Sequence, residues 1–255
     1  MDRKNVIIAV LAIFLLASIS ASYCGYPSQY WSDTSGTAGT GGAVACSELA
    51  PCLGSATANI VAVQGEGSTG EIGQVLVEIR EGSGKVLVDT NPFVEPDTQY
   101  SAREAVEVAA EFTQATISDK DIIISFDIDG TMIGGPSAGA ATTVALIAAL
   151  EGKEVRQDVA VTGTIDEGGL IGAVGSVFEK AVGAEEQGIT LFLVPGGQET
   201  VVYYEQHIDG RGQFRFPFRR VYYTTREIDL SAYFQGKMEV RGVSTISDAV
   251  EYMLE

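Results

Sequence analysis

The chain has 255 residues, with 34 Asp and Glu against 16 Lys and Arg and a formal net charge of -18. So acidic a chain has little basic surface for a phosphate backbone, and a nucleic-acid partner is not expected. Hydrophobic residues make up 45% and charged residues 20%, which supports a packed core in one or two domains.

Asp2-Arg3-Lys4 is a short charged start, followed by unbroken apolar sequence from Val6 to Ala17 and then Ile19. A bilayer span needs roughly 17–25 residues, so residues 1–21 read as a signal peptide or a short membrane anchor. Ser18 and Ser20 are small residues at the spacing a signal peptidase reads, and Ala21-Ser22-Tyr23-Cys24 is a poor lipoprotein site; cleavage is left open. Arg3 and Lys4 place the rest of the chain outside the cytoplasm, membrane-anchored or secreted. Residues 22–58 read as a flexible linker, on the strength of the run from Ser32 to Gly42. Cys46 and Cys52 are close enough for a small disulfide loop in an oxidising compartment, leaving Cys24 over; three unrelated thiols are the alternative.

The folded body is expected over 59–255. Strands are read at Ile60–Val63, Gly73–Arg80 and Lys85–Asp89, with Gly82-Ser83-Gly84 as a hairpin turn between the last two. Thr98 to Thr116 has helical period, with Ala102, Val106, Ala109, Ala110 and Thr113 on one side. A strand follows at Asp121–Phe126. A helix then opens at Pro136 and runs to about Glu151. Val159–Val161 and Thr190–Val194 read as strands, Ser176–Gln187 as a helix stopped by Gly188, and Ile246–Leu254 as a helix with Thr245 and Asp248 at capping-box spacing. Residues 202–240, rich in Tyr, Phe and Arg and holding His207, the sole histidine, read as an inserted hairpin or flap. The alternation gives an α+β class, with mixed sheets and packed helices.

Ser137 lies in Gly134-Gly135-Pro136-Ser137-Ala138-Gly139, and Lys180 follows 43 positions later on a largely apolar helix. A serine on such a turn is an exposed nucleophile. Burial disfavours the charged form of a lysine and makes it a base. Free N–H groups at a helix start stabilise an oxyanion, which marks Gly135, Pro136 and Ala138 as loop residues of the site. With one histidine, a serine–histidine arrangement has few ways to form.

These runs resemble the proteolytic domain of the Lon protease family over about 59–255. The matching residues are G-P-S-A-G at 135–139, V-A-V-T-G at 159–163, E-K at 179–180 and G-I-T-L-F-L-V-P at 188–195. The resemblance implies a Ser137–Lys180 dyad, with Thr162, 25 positions after the serine, supporting the amine. It also implies protein or peptide substrates and a homo-oligomer, a hexameric ring. The chain departs from the family's commonest loop, which has an aspartate where Gly134 stands and a lysine where Ile133 stands.

No metal, nucleotide or other cofactor is expected. Gly82-Ser83-Gly84-Lys85 is not a phosphate-binding loop, since Ile79 and Val86 stand where glycine and Ser or Thr are required. The expected function is thus ATP-independent serine endopeptidase action on unfolded or membrane-associated proteins. Two alternatives are an inactive assembly module on the same fold and a haloacid-dehalogenase-type phosphatase. The latter is suggested by Asp127-Ile128-Asp129-Gly130-Thr131 after an apolar strand, but no downstream acidic metal motif accompanies it.

Overall fold

The computed structural model describes residues 51–64, 68–130, 132–209 and 220–255. Its centre is a seven-stranded mixed sheet. The strands are β1 (Cys52–Val63), β2 (Gly70–Glu81), β3 (Val86–Val88), β5 (Lys120–Asp127), β7 (Val159–Val161), β10 (Leu191–Pro195) and β13 (Glu239–Val243), in the order β13-β10-β7-β1-β2-β5-β3. Outside it, β4 (Phe93–Val94) pairs with β6 (Met132–Ile133) and β8 (Thr164–Asp166) with β9 (Leu170–Gly172). The first four in that order run parallel, β1–β2 and β2–β5 pair antiparallel, and β5–β3 pair parallel.

The sheet is apolar on both faces, which is why β7 and β10 read as unbroken apolar runs. Ala58, Ile60, Val159, Val161, Leu191 and Leu193 face one cluster. Helices α1 (Pro96–Thr113), α2 (Gly139–Glu151) and α5 (Ile246–Met253) complete it. Val61, Ala160, Phe192 and Val194 face the other, closed by α3 (Val177–Glu186) and the short α4 (Leu230–Tyr233). Helix α2 is buried on every side from Gly139 to Ala149, the expected environment for a helix with no polar face. β1 and β7 share a single pairing, Asn59↔Ala160, and the buried Asn59 amide strengthens this junction by donating to Gln157 O and Val159 O at 2.8 and 3.1 Å.

Four expectations need correction. The sheet starts at Cys52, so 52–58 belong to β1 and not to the linker. Gly82–Gly84 do not close a hairpin. Gly82 N–H donates to Asp119 O, and the Asp121 carboxylate accepts from the N–H groups of Ser83 and Lys85. This wraps the turn over the start of β5 and lays β3 on its far side, so apolar β5 is paired along both edges. Pro136–Ala138 form a separate 3-10 turn before α2. The hairpin is β11 (Thr200–Asp209) with β12 (Arg220–Asp229), whereas β13 returns to the main sheet.

The capping box of α5 is present: Thr245 Oγ1 accepts from Asp248 N–H, and the Asp248 carboxylate accepts from Thr245 N–H at 2.9 Å. Cys52 is exposed. Cys24, Cys46 and the apolar run at 6–17 lie outside the described residues. Among the described residues no helix is long and apolar enough to cross a membrane.

Candidate active site

Three pieces of backbone converge at one end of the sheet. The first is the 3-10 turn carrying Ser137. It is tied to the end of β7, because Gly163 N–H donates to Ser137 O at 3.0 Å and Ala140 N–H donates to Gly163 O at 3.1 Å. The second is Thr162, the residue after β7, 1% exposed. The third is α3, which carries Lys180, 4% exposed. Gly70 and Gly183 set how closely α3 lies on β2: a Cβ on Gly183 would run into the Gly70 carbonyl, and one on Gly70 would stand 2.8 Å from the Cα of Lys180. Ser176, just before α3, holds left-handed backbone (φ 54°) and faces the same cleft.

Lys180 Nζ lies 2.7 Å from Ser137 Oγ and 3.0 Å from Thr162 Oγ1. Thr162 Oγ1 in turn donates to Ser137 O at 3.4 Å. Among the described residues no carboxylate forms an ion pair with the amine, and its burial lowers the lysine from 10.5 to about 8. The amine is therefore neutral in an appreciable fraction of molecules near pH 7, about a tenth, whereas an ordinary lysine is almost never so. A cleft of about 380 Å³ opens over the pair. Ile128, Met132 and Val174 supply apolar wall, and Gln64 and Asp129 supply polar wall.

The chain matches the Lon protease (S16) C-terminal proteolytic domain over residues 95–204. It is 28% identical to the archaeal Lon protease of Archaeoglobus fulgidus over 188 residues, 72% of this chain and 25% of that one. It is 31% identical to Lon protease 1 of Sorangium cellulosum over 131 residues, 51% of this chain and 14% of that one. The chain carries a Lon-family proteolytic domain. Ser137, Thr162 and Lys180 all lie inside the matched stretch of this Lon domain. The chain spans between 14% and 25% of the length of these two relatives.

The remaining sequence candidates are placed as follows. Gly135, Pro136 and Ala138 flank the serine, but they are not equivalent. Gly135 N–H is directed to Asp97 Oδ1 at 3.4 Å, Pro136 has no N–H, and Ala138 N–H falls within the 3-10 turn, which leaves the Ser137 N–H for a ligand. Where a side chain at position 134 would project, the Glu95 carboxylate already stands. Asp127 ends β5 and Asp129 follows it, both exposed. Among the described residues no group of three His, Cys, Asp or Glu side chains is arranged to hold a metal. His207 lies on the hairpin, stacked on Tyr222 with centroids 5.1 Å apart.

Sequence reading missed Asp97, Thr98 and Ser101 on α1, which bond to the serine loop. A signal was present: hydroxyls at 98 and 101 share the buried side of the helix with Ala102 and Ala105.

Proposed function

We propose that this Lon domain is a serine endopeptidase in which Ser137 is the nucleophile and Lys180 the general base. The supporting observation is a buried amine, unpaired with any described carboxylate, 2.7 Å from the serine hydroxyl. Thr162 gives that contact its polarity. Its hydroxyl proton points at Ser137 O, so Lys180 must donate to its oxygen. The lone pair of a neutral Lys180 is then left for the Ser137 proton.

Lys180 Nζ takes that proton as Oγ bonds to the scissile carbonyl carbon. The resulting ammonium protonates the leaving amine, the C–N bond breaks, and an acyl ester remains on Ser137. Water, deprotonated by the same amine, hydrolyses the ester and restores the hydroxyl. No step uses a nucleotide or a metal, so the reading includes turnover without ATP. The reading extends to unfolded or membrane-associated proteins as substrates.

The test is hydrolysis of labelled casein without ATP by the full chain, Ser137→Ala and Lys180→Ala. Loss of turnover by about a thousandfold in both folded variants is expected. Turnover surviving in either one overturns the reading. The proposal extends to a membrane tether or export through residues 1–21 and to a hexameric assembly, which cell fractionation and light scattering test.

A further inference from the structure

Thr98 and Ser101 sit in the first two turns of α1 and are 2% and 9% exposed. A helical hydroxyl ordinarily donates to a carbonyl one turn back on its own helix. Thr113, Thr142 and Thr143 do this, each donating to the carbonyl four residues earlier at 2.8–2.9 Å. Thr98 and Ser101 do not. Thr98 Oγ1 donates to Gly135 O at 2.9 Å and Ser101 Oγ to Pro136 O at 3.2 Å, the two carbonyls just before the serine. Glu95 N–H donates to Ile133 O at 3.0 Å, and Asp97 accepts from Gly135 N–H. One helix end thus grips the loop from Ile133 to Pro136. The fit is close: a Cβ on Gly139 would stand 2.6 Å from Ser101 Oγ.

Peptide planarity gives this grip a chemical meaning. The Pro136–Ser137 bond is trans, so its N–H points opposite to its C=O. With Pro136 O accepting from Ser101 Oγ on α1, and also from Gly139 N–H at the start of α2, the Ser137 N–H points away from Ser101, and Ser137 lines the cleft. That N–H has no acceptor among the described residues.

We propose that Thr98 and Ser101 are positioning residues. By fixing the carbonyls of Gly135 and Pro136 toward α1, they aim the Ser137 N–H at the oxyanion that forms on the scissile carbonyl. The inference rests on the peptidase reading above, and it separates two functions. Lys180 and Thr162 manage the proton, while the far side of the loop, held by another helix, manages the developing charge.

The experiment compares the full chain with Ser137→Ala, Thr98→Val, Thr98→Ser and Ser101→Ala. It uses labelled casein and a peptide aldehyde whose hemiacetal oxygen mimics the oxyanion. Thr98→Val keeps the shape and removes the donor. It is expected to lower kcat by about tenfold to a hundredfold, leave KM within about twofold, and weaken the aldehyde by the same factor as kcat. Ser101→Ala follows the same pattern, and Thr98→Ser recovers most of the loss. Wild-type turnover that Ser137→Ala abolishes but Thr98→Val and Ser101→Ala leave intact overturns the positioning role alone. So does a Thr98→Ser variant as impaired as Thr98→Val. Absent turnover in wild type, or turnover that survives Ser137→Ala, ends the peptidase reading and this inference with it. Should circular dichroism show Thr98→Val unfolded, Ser101→Ala decides the question.

Discussion

Replacing Lys180 with methionine keeps an unbranched side chain of similar length and removes the amine. In the folded protein, burial brings the lysine from 10.5 down to about 8. The unfolded chain therefore holds the extra proton between those two values, and wild-type stability rises with pH through that window. Below about pH 8 the folded state carries the full penalty, which at about 1.4 kcal/mol per unit is on the order of 3 kcal/mol. Against this, Lys180→Met leaves the Ser137 and Thr162 hydroxyls without the amine, a loss of about 1 kcal/mol for the buried threonine. The variant should therefore be more stable than wild type at pH 7, by about 2 kcal/mol, or roughly 1 M in urea midpoint. The advantage should vanish or reverse near pH 10.5. Urea titrations of both proteins at pH 7 and 10.5 give the double difference, in which every other titrating group cancels. A variant less stable at pH 7, or a difference that ignores pH, refutes the account of a desolvated amine.

Four further outcomes follow from particular contacts. The kcat/KM for casein should climb about tenfold per pH unit below about pH 8 and level off above it, because the base is the deprotonated amine; a flat profile from pH 6 to 8 removes Lys180 from that role. Gly183→Ala should destabilise by about 2 kcal/mol or more in urea, since the added methyl meets the Gly70 carbonyl, although helix propensity alone gives a gain of about 1 kcal/mol. Thr245→Ala should cost about 1 kcal/mol through loss of the α5 cap. In the parent, backbone N–H groups of Ser244 and Thr245 hold the Asp248 carboxyl below its usual 3.8, so that carboxylate's contribution is full above pH 3.8 and is lost as pH falls below it through the lower folded value; the stabilities of Asp248→Asn and wild type should draw together only below pH 3.8 in acid titrations.

Part of the candidate site was legible in the sequence because the runs that resemble the Lon proteolytic domain carry Ser137, Thr162 and Lys180 at set separations. The separations of Ser137, Thr162 and Lys180 survive into a single hydrogen-bonded cluster. The two-faced strands β7 and β10 and the cap at Thr245 are set by local chemistry and read correctly. Long-range choices were hidden. Whether Val86–Val88 pairs with β2 or β5 depends on which edge of β5 is vacant, and no local residue states that. Residues 52–57 lack an apolar alternation because that end of β1 is only partly covered, so nothing distinguishes them from linker. Thr98 and Ser101 were hidden for a different reason. A hydroxyl in a helix has a partner on its own backbone by default, and only tertiary packing reveals that these two chose the loop.

The contact between Gly70 and Gly183 bears on how this chain can vary. The depth of the amine is determined where two backbones touch, with no side chain between them to trim or enlarge. Aliphatic packing usually lets evolution adjust a buried group by one methyl at a time. Here the smallest available step is a whole collision, which would lift α3 and let water reach the lysine. The acidity of the Lys180 ammonium is thus a property held at a fixed setting by the backbone, and tuning it must come from somewhere other than the helix that carries it.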